Sequence, residues 1–223
     1  MNFDRMIVLD FETTGLLPGY RPVEIAWVEF DADFNELDSV SSLINPYIEI
    51  EPGAQRVHGI SAEMLIGKPS LDDFMKVTRA GKFEDEHVLV VAHNASFDVP
   101  MFAPYCKQLT PLCTMQLGQS FYPESSDYKL QTLSTLLNLE DEPTHRALAD
   151  ASTCFHLMKQ IATTHNMGIG DLLSVIDNFS LESTMPFGKH KGTKLKDLPS
   201  DYAEWLTTNL DADNWVRQAL LGG

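Results

Sequence analysis

An α/β fold is the class this sequence predicts: a mixed sheet flanked by helices, with a small C-terminal mini-domain attached. Three observations predict it. Two β-type runs come early, Met6–Glu12 and Val23–Phe30, and a third, His87–Ala92, lies among helical segments. A long stretch from Ala147 to Ala162 has its apolar residues at 147, 148, 151, 154, 155, 158, 161 and 162, one stripe at helical spacing. The character of the chain then changes. Residues 1–183 hold 11 Lys/Arg against 27 Asp/Glu, whereas residues 184–223 hold five of each.

The elements follow in order. Met6-Ile-Val-Leu-Asp-Phe-Glu12 reads as a buried strand with two acids at its end, turned by Thr13-Thr14-Gly15. Val23–Phe30 alternates acids with apolar residues, as a second strand does. Val40–Ile44 is a third, stopped by Asn45-Pro46. Ser61–Met64 reads as a helix start, and Leu71–Thr78 as a helix. The run His87–Ala92 suits a central strand. Asn94–Tyr105 follows as loop and helix, Leu112–Thr114 as a short strand, and Leu130–Leu137 as a helix. Strands interleaved with helices in this order give an α/β domain. It is expected over 1–177, with a polar linker at 178–184 and a mini-domain over 185–223 that turns at Gly188 and Gly192 and carries a helix over Tyr202–Leu210.

Composition narrows the function. No apolar run approaches the ~20 residues of a membrane span, and the start, Met1-Asn2-Phe3-Asp4-Arg5, is unlike a secretory signal. Three cysteines without a C-x-x-C pair argue against a disulfide framework or a zinc ribbon. Reduced thiols in a cytoplasm are the simplest reading. The net charge of -16, taken alone, argues against a protein that coats nucleic acid by bulk charge. Lys189, Lys191, Lys194 and Lys196 nevertheless precede the first acid of the tail, Asp197, and a cluster like this acts locally because screening confines its field to ~8 Å.

The chemistry rests on four acids and a histidine. Asp10 and Glu12, two apart on a strand, project from one face. Carboxylates crowded on an apolar strand repel unless a cation or protons compensate. Asp98 lies just past a strand, at the kind of junction where α/β proteins place ligand groups. Asp150 falls at the border of the apolar stripe of its helix. His145, five residues earlier, would not share its face on a regular helix and so belongs on the preceding loop. Taken singly, each has a structural alternative: Glu12 in water past the strand end, Asp98 answering a helix dipole, Asp150 as a cap, His145 as a surface residue. Taken together, the residue types fit metal-assisted phosphodiester hydrolysis. Hard Mg²⁺, or Mn²⁺ in its place, prefers oxygen ligands, four carboxylates balance two divalent ions, and a histidine titrating near neutrality can take a proton from water.

Asp10-Phe-Glu-Thr-Thr-Gly15, Ala92-His-Asn-Ala-Ser-Phe-Asp98 and His145-Arg-Ala-Leu-Ala-Asp150 resemble the three exonuclease motifs of the DnaQ-like, DEDDh family in order and spacing, and His58-Gly59-Ile60 resembles a further family segment. The resemblance implies a ribonuclease-H-like fold, two divalent ions and 3′→5′ exonuclease activity. It casts Asp10, Glu12, Asp98 and Asp150 as metal ligands and His145 as general base. Leu112–Leu117, Tyr128-Lys129, Pro186–Gly192 and Tyr202-x-x-Trp205-Leu206 are similar to the exodeoxyribonuclease X branch, which implies degradation of DNA from 3′ ends in repair. Thr14, Leu16 and Leu17 are then expected at the terminal base, His58 at the terminal nucleotide backbone, and Lys189, His190, Lys191, Lys194 and Lys196 at phosphates. Phe187 and Trp205 read as the small core of the mini-domain. The expected partner is DNA, with no membrane, and a homodimer is allowed. RNA trimming, a polymerase proofreading subunit and a non-catalytic nucleic-acid-binding module stand as alternatives.

Overall fold

The computed structural model describes residues 2–16, 19–78, 83, 85–182, 185, 188–210, 216, 217 and 220, with the backbone alone for 178–182. They fall into two units, Met1–Gly168 and Ile169–Gly223.

The first unit is built on a five-stranded sheet of order β3-β2-β1-β4-β5. Strands β1 (Arg5–Thr13), β2 (Pro22–Phe30) and β3 (Glu36–Leu43) form an antiparallel meander. β4 (His87–Ala92) lies parallel to β1 on its other side, and β5 (Gln108–Cys113) lies parallel to β4, with Pro111 opposite Val90. Parallel pairing of β1 with β4 needs a long crossover. It contains α1 (Pro52–His58), a 3₁₀ turn at Ala62–Leu65 and α2 (Leu71–Val77). α3 (Ala95–Phe102) connects β4 to β5. Then come α4 (Thr114–Phe121), α5 (Leu130–Leu137) and the 19-residue α6 (Ala147–His165).

The pleat divides β1 between two environments. Ile7, Leu9 and Phe11 enter one buried cluster with Ile25, Trp27, Phe74, Val90 and Phe102. The intervening residues, Asp10 and Glu12 among them, share the opposite side with Glu24 and Phe30 of β2. That side is covered by α6, whose Phe155 ring lies 5.5 Å from that of Phe30. The acids are thus carried on the central strand, under a helix that packs across β1 and β2.

Several elements depart from expectation. Residues 61–64 make only a 3₁₀ turn. α1 and α4 have no long apolar stripe to announce them; α1 is fixed instead by Pro52 at its start and by Gly59 (φ 71°) at its end. β3 begins at Glu36, because an exposed outer strand needs no apolar alternation. The break between units falls earlier than expected. α6 stops at Asn166, whose left-handed backbone (φ 53°) caps the carbonyls of Ala162 and Thr163. A new helix, α7 (Ile169–Glu182), runs through most of the polar stretch 178–184 expected as a linker, since polar residues alone do not end a helix. Residues 183 and 184 lie outside the described residues.

The second unit continues with turns at Gly188–Gly192, a 3₁₀ turn at Leu195–Asp197 and α8 (Ser200–Asn209). Met185, Leu195, Leu198, Leu206 and Val216 form its own small core. No helix among the described residues is long and apolar enough to cross a membrane.

Candidate active site

Four carboxylates converge near the end of β1. Asp98 stands in the first turn of α3 and is 3% exposed. It accepts a hydrogen bond from the Phe11 amide (3.1 Å), which ties α3 to the strand between Asp10 and Glu12. Asp150, in the first turn of α6, is also buried and accepts from the Thr144 amide at 2.8 Å. Burial holds the Asp10 carboxyl well above the ordinary range, and the charges of Asp98, Asp150, Glu12 and Glu24 add to the effect. Asp98 is held up by burial and by Glu12, against the opposing Phe11 amide. Glu12 is pushed up to about 8 by burial, then by Asp150 and Glu24. Asp150 is raised by burial. Such a cluster is costly when ionised and uncompensated.

His145 completes the group. It sits two residues before α6, on the loop, as its offset from Asp150 requires. Its backbone is left-handed (φ 55°), a conformation that costs a residue with a Cβ about 1 kcal/mol or more. One ring nitrogen of His145 and one oxygen each of Glu12 and Asp150 all lie within 4.8 Å of one another. The strain is sustained by bonds on both sides. Thr144 donates to Asp150, and Arg146 forks onto Glu24 through Nε (3.0 Å) and Nη2 (2.6 Å). The Ala147 amide also donates to Glu24, at 3.0 Å.

Glu24 and Arg146 are residues that the motif reading does not single out. Glu24 is 3% exposed and stands directly opposite Glu12 across the β1–β2 ladder. Like charges so placed repel. Arg146 neutralises one of them, and the same ion pair anchors the His145 loop to the sheet. The available signal is an acid on the side of β2 shared with Asp10 and Glu12, with an arginine beside the candidate histidine.

The other expected contacts divide. His58, expected at the terminal nucleotide backbone, is buried and hydrogen-bonded to the main chain. It is 5% exposed, its Nδ1 accepts from the Ile60 amide (2.9 Å), and its Nε2 donates to the Thr13 carbonyl (3.2 Å). One nitrogen ties to the end of β1 and the other to the turn that follows α1. Thr14 is also buried, its hydroxyl oxygen accepting from the Arg21 amide at 3.0 Å and its carbonyl accepting from the Glu51 amide. Leu16 is 81% exposed, the opposite of a core residue. Leu17 and Phe187 lie outside the described residues. Phe97, next to Asp98, stacks on Tyr20 of the β1–β2 loop with centroids 5.0 Å apart. His93 bonds Thr114 and the Tyr128 carbonyl, and burial pushes it down to about 4. Lys189, Lys191 and Lys194 are exposed in the second unit, Lys189 over the ring of Tyr202. Trp205 is not core: it is 54% exposed.

A meander followed by two parallel strands, with its acids gathered beside the central strand, is the architecture of the ribonuclease-H-like α/β nucleases. The chain belongs to the Exonuclease family, whose model matches residues 7–158. Residues 159–210 match a second family model, described as "Putative quorum-sensing-regulated virulence factor". Exodeoxyribonuclease 10 of Escherichia coli K12 is 30% identical over 212 residues, which span 92% of this chain and 91% of that protein. The PolC-type DNA polymerase III of Bacillus subtilis 168 is 30% identical over 173 residues, 73% of this chain but 12% of the polymerase. A structure of exonuclease X in complex with 5′-overhanging duplex DNA superposes with a TM-score of 0.63 at 27% identity, covering 76% of this chain and 98% of the other. Escherichia coli exonuclease I, in a complex with a dT13 oligonucleotide, shares the fold with a TM-score of 0.62 at 16% identity, over 80% of this chain and 44% of the other.

Proposed function

We propose that the protein is a divalent-metal-dependent 3′→5′ exodeoxyribonuclease that releases 5′-mononucleotides from DNA ends. The observation that supports the reading is the mutual crowding of Asp10, Glu12, Asp98 and Asp150, four hard oxygen donors of the type that divalent cations prefer, whose charges oppose one another without such compensation. The names and DNA complexes of the relatives support DNA as the substrate, and a role in repair would follow from that substrate.

Asp10, Glu12, Asp98 and Asp150 would hold two divalent ions, with Mg²⁺ the expected metal and Mn²⁺ an acceptable one. Bound there, they supply the positive charge that phosphodiester cleavage develops a need for. His145, exposed beside Glu12 and Asp150, takes the proton of the attacking water and returns it to solvent. Arg146 and Glu24 hold the histidine in place. Leu16, exposed on the loop after the first two acids, presents an apolar surface to the terminal base, and such stacking tolerates any sequence. Lys189, Lys191 and Lys194 contribute phosphate contacts from the second unit.

The test is a gel assay on matched DNA and RNA oligonucleotides labelled at the 5′ end, with Mg²⁺, with chelator, and with Asp10→Ala. A metal-dependent ladder shortening from the 3′ end of DNA is expected. A ladder confined to RNA would move the function to RNA trimming. No ladder on either, from folded protein, would replace the enzyme with a binding module.

A further inference from the structure

The second unit carries an aromatic row that its own core does not use. α8 places Tyr202 and Trp205 three residues apart, on one face of the helix. Their rings lie nearly parallel, 13° apart, with centroids separated by 5.9 Å. Tyr202 is enclosed on its other sides. The His190 ring stands 4.6 Å from it, and the Lys189 Nζ lies 5.1 Å from its centroid. Its hydroxyl rests against Gly188, where a Cβ would come within 2.7 Å of that oxygen. Gly188 has φ 72°, so glycine meets two demands there, the turn and the close approach. The row therefore runs from a lysine, over a fixed tyrosine, to a tryptophan that remains 54% exposed.

The small core of this unit consists of Met185, Leu195, Leu198, Leu206 and Val216, with Tyr202 packed at its margin and Trp205 outside it. An indole left in water, aligned with a neighbouring ring, offers a flat apolar face on which another flat group can stack. The charge around it selects that partner. Lys189, Lys191, Lys194 and Lys196 fall within eight residues of a chain whose net charge is -16. Flat aromatic surface beside concentrated cations is the chemistry by which proteins hold unpaired bases together with their phosphates. A duplex hides its base faces and would use only the lysines.

We propose that Trp205, backed by Tyr202 and flanked by Lys189 and Lys191, is a second nucleic-acid site that stacks an unpaired base of single-stranded DNA. The proposal extends the exonuclease reading and rests on it for the identity of the ligand. It gives the second unit a selectivity for single strands that the active-site acids do not supply.

The test measures binding, in chelator so that nothing is cut, of fluorescently labelled dT20 and of a blunt 20-base-pair duplex of two strands to the full chain. Trp205→Ala is expected to weaken dT20 binding by about 5- to 150-fold, the range for loss of one stacked base. Trp205→Phe is expected to restore most of it, and duplex binding is expected to change less than twofold. Thermal unfolding of each variant checks that the fold is kept. Equal losses on both ligands, no loss on dT20, or a wild type that does not bind dT20 would overturn the proposal. Failure of the exonuclease reading shows itself separately: a wild type that holds dT20 through Trp205 yet makes no ladder with Mg²⁺ refutes the enzyme and leaves the stacking site standing.

Discussion

Replacing Glu12 by Gln should make the metal-free protein more stable at alkaline pH while removing its activity. The Glu12 carboxyl is pushed from 4.5 to about 8 in the folded chain, first by burial and then by Asp150 and Glu24. A carboxyl raised on folding holds its proton in the native state after the unfolded chain has released it. Stability therefore falls as pH rises between about 4.5 and 8, the reverse of the usual salt-bridged acid. Linkage across that window gives a loss of about 3 kcal/mol from Glu12 alone between about pH 5.5 and 8. The amide of the variant has no proton to lose there and escapes it. In a chain of this size ~1 kcal/mol moves the melting temperature by ~2–4 °C. In chelator, the wild type should thus lose ~6–12 °C more than Glu12→Gln between those two pH values. Thermal melts followed by circular dichroism, with and without chelator, provide the assay. Saturating Mg²⁺ should flatten the wild-type pH dependence, because bound cations favour the ionised carboxylates. Parallel pH curves for the two proteins in chelator would refute the claim that Glu12 sits in a charge-starved site.

Other expectations concern the surroundings of that site. Asp98→Ala should abolish turnover with the unfolding temperature nearly unchanged: the Phe11 amide loses its acceptor, at about 1–3 kcal/mol, while repulsion among the remaining acids is relieved. Retained activity would remove Asp98 from the metal site. His145→Ala should cut the rate by ~10²–10⁴-fold. Because residue 145 has φ 55°, His145→Gly should unfold at higher temperature than His145→Ala, by about 1 kcal/mol of stability; equal stabilities would show that the backbone relaxes. Arg146→Ala strips the guanidinium from buried Glu24, which keeps its bond from the Ala147 amide. It should cost about 1–3 kcal/mol, below a fully buried pair because the arginine side chain is 47% exposed. It should also lower kcat, with Arg146→Lys recovering little, since lysine cannot fork; a variant with unchanged kcat would free the His145 loop from dependence on the pair.

What could be read in the residues follows from how local each constraint is. The period of two in β1 and the stripe in α6 are local, so the positions of Asp10, Glu12 and Asp150 followed from periodicity, and the five-residue offset to His145 placed that histidine on a loop. Relations between elements are not local. The opposition of Glu24 to Glu12 depends on the β1–β2 register, and the Glu24–Arg146 pair joins residues 122 apart. His58 has the composition of a ligand but is consumed by two backbone groups, one of them 45 residues away. Trp205 misleads in the other direction, because hydrophobicity argues for burial while the small unit has room for other side chains only. The boundary near residue 168 was hidden because Asn166 supplies the left-handed cap more often given by glycine.

The outer strands of the sheet carry one further consequence. β3 shows Glu36 and Asp38 to solvent, and β5 contains Pro111, which has no amide hydrogen to offer a neighbouring chain. Neither rim presents an unbroken, uncharged ladder. Both rims thus disfavour a sixth strand: an added segment would meet carboxylates along β3 and lack a donor at Pro111 along β5. Asp10 and Glu12 lie on β1, which has two strands between it and either open edge, counting the edge strand itself, so a segment added at a rim would not touch the ladders that set their register.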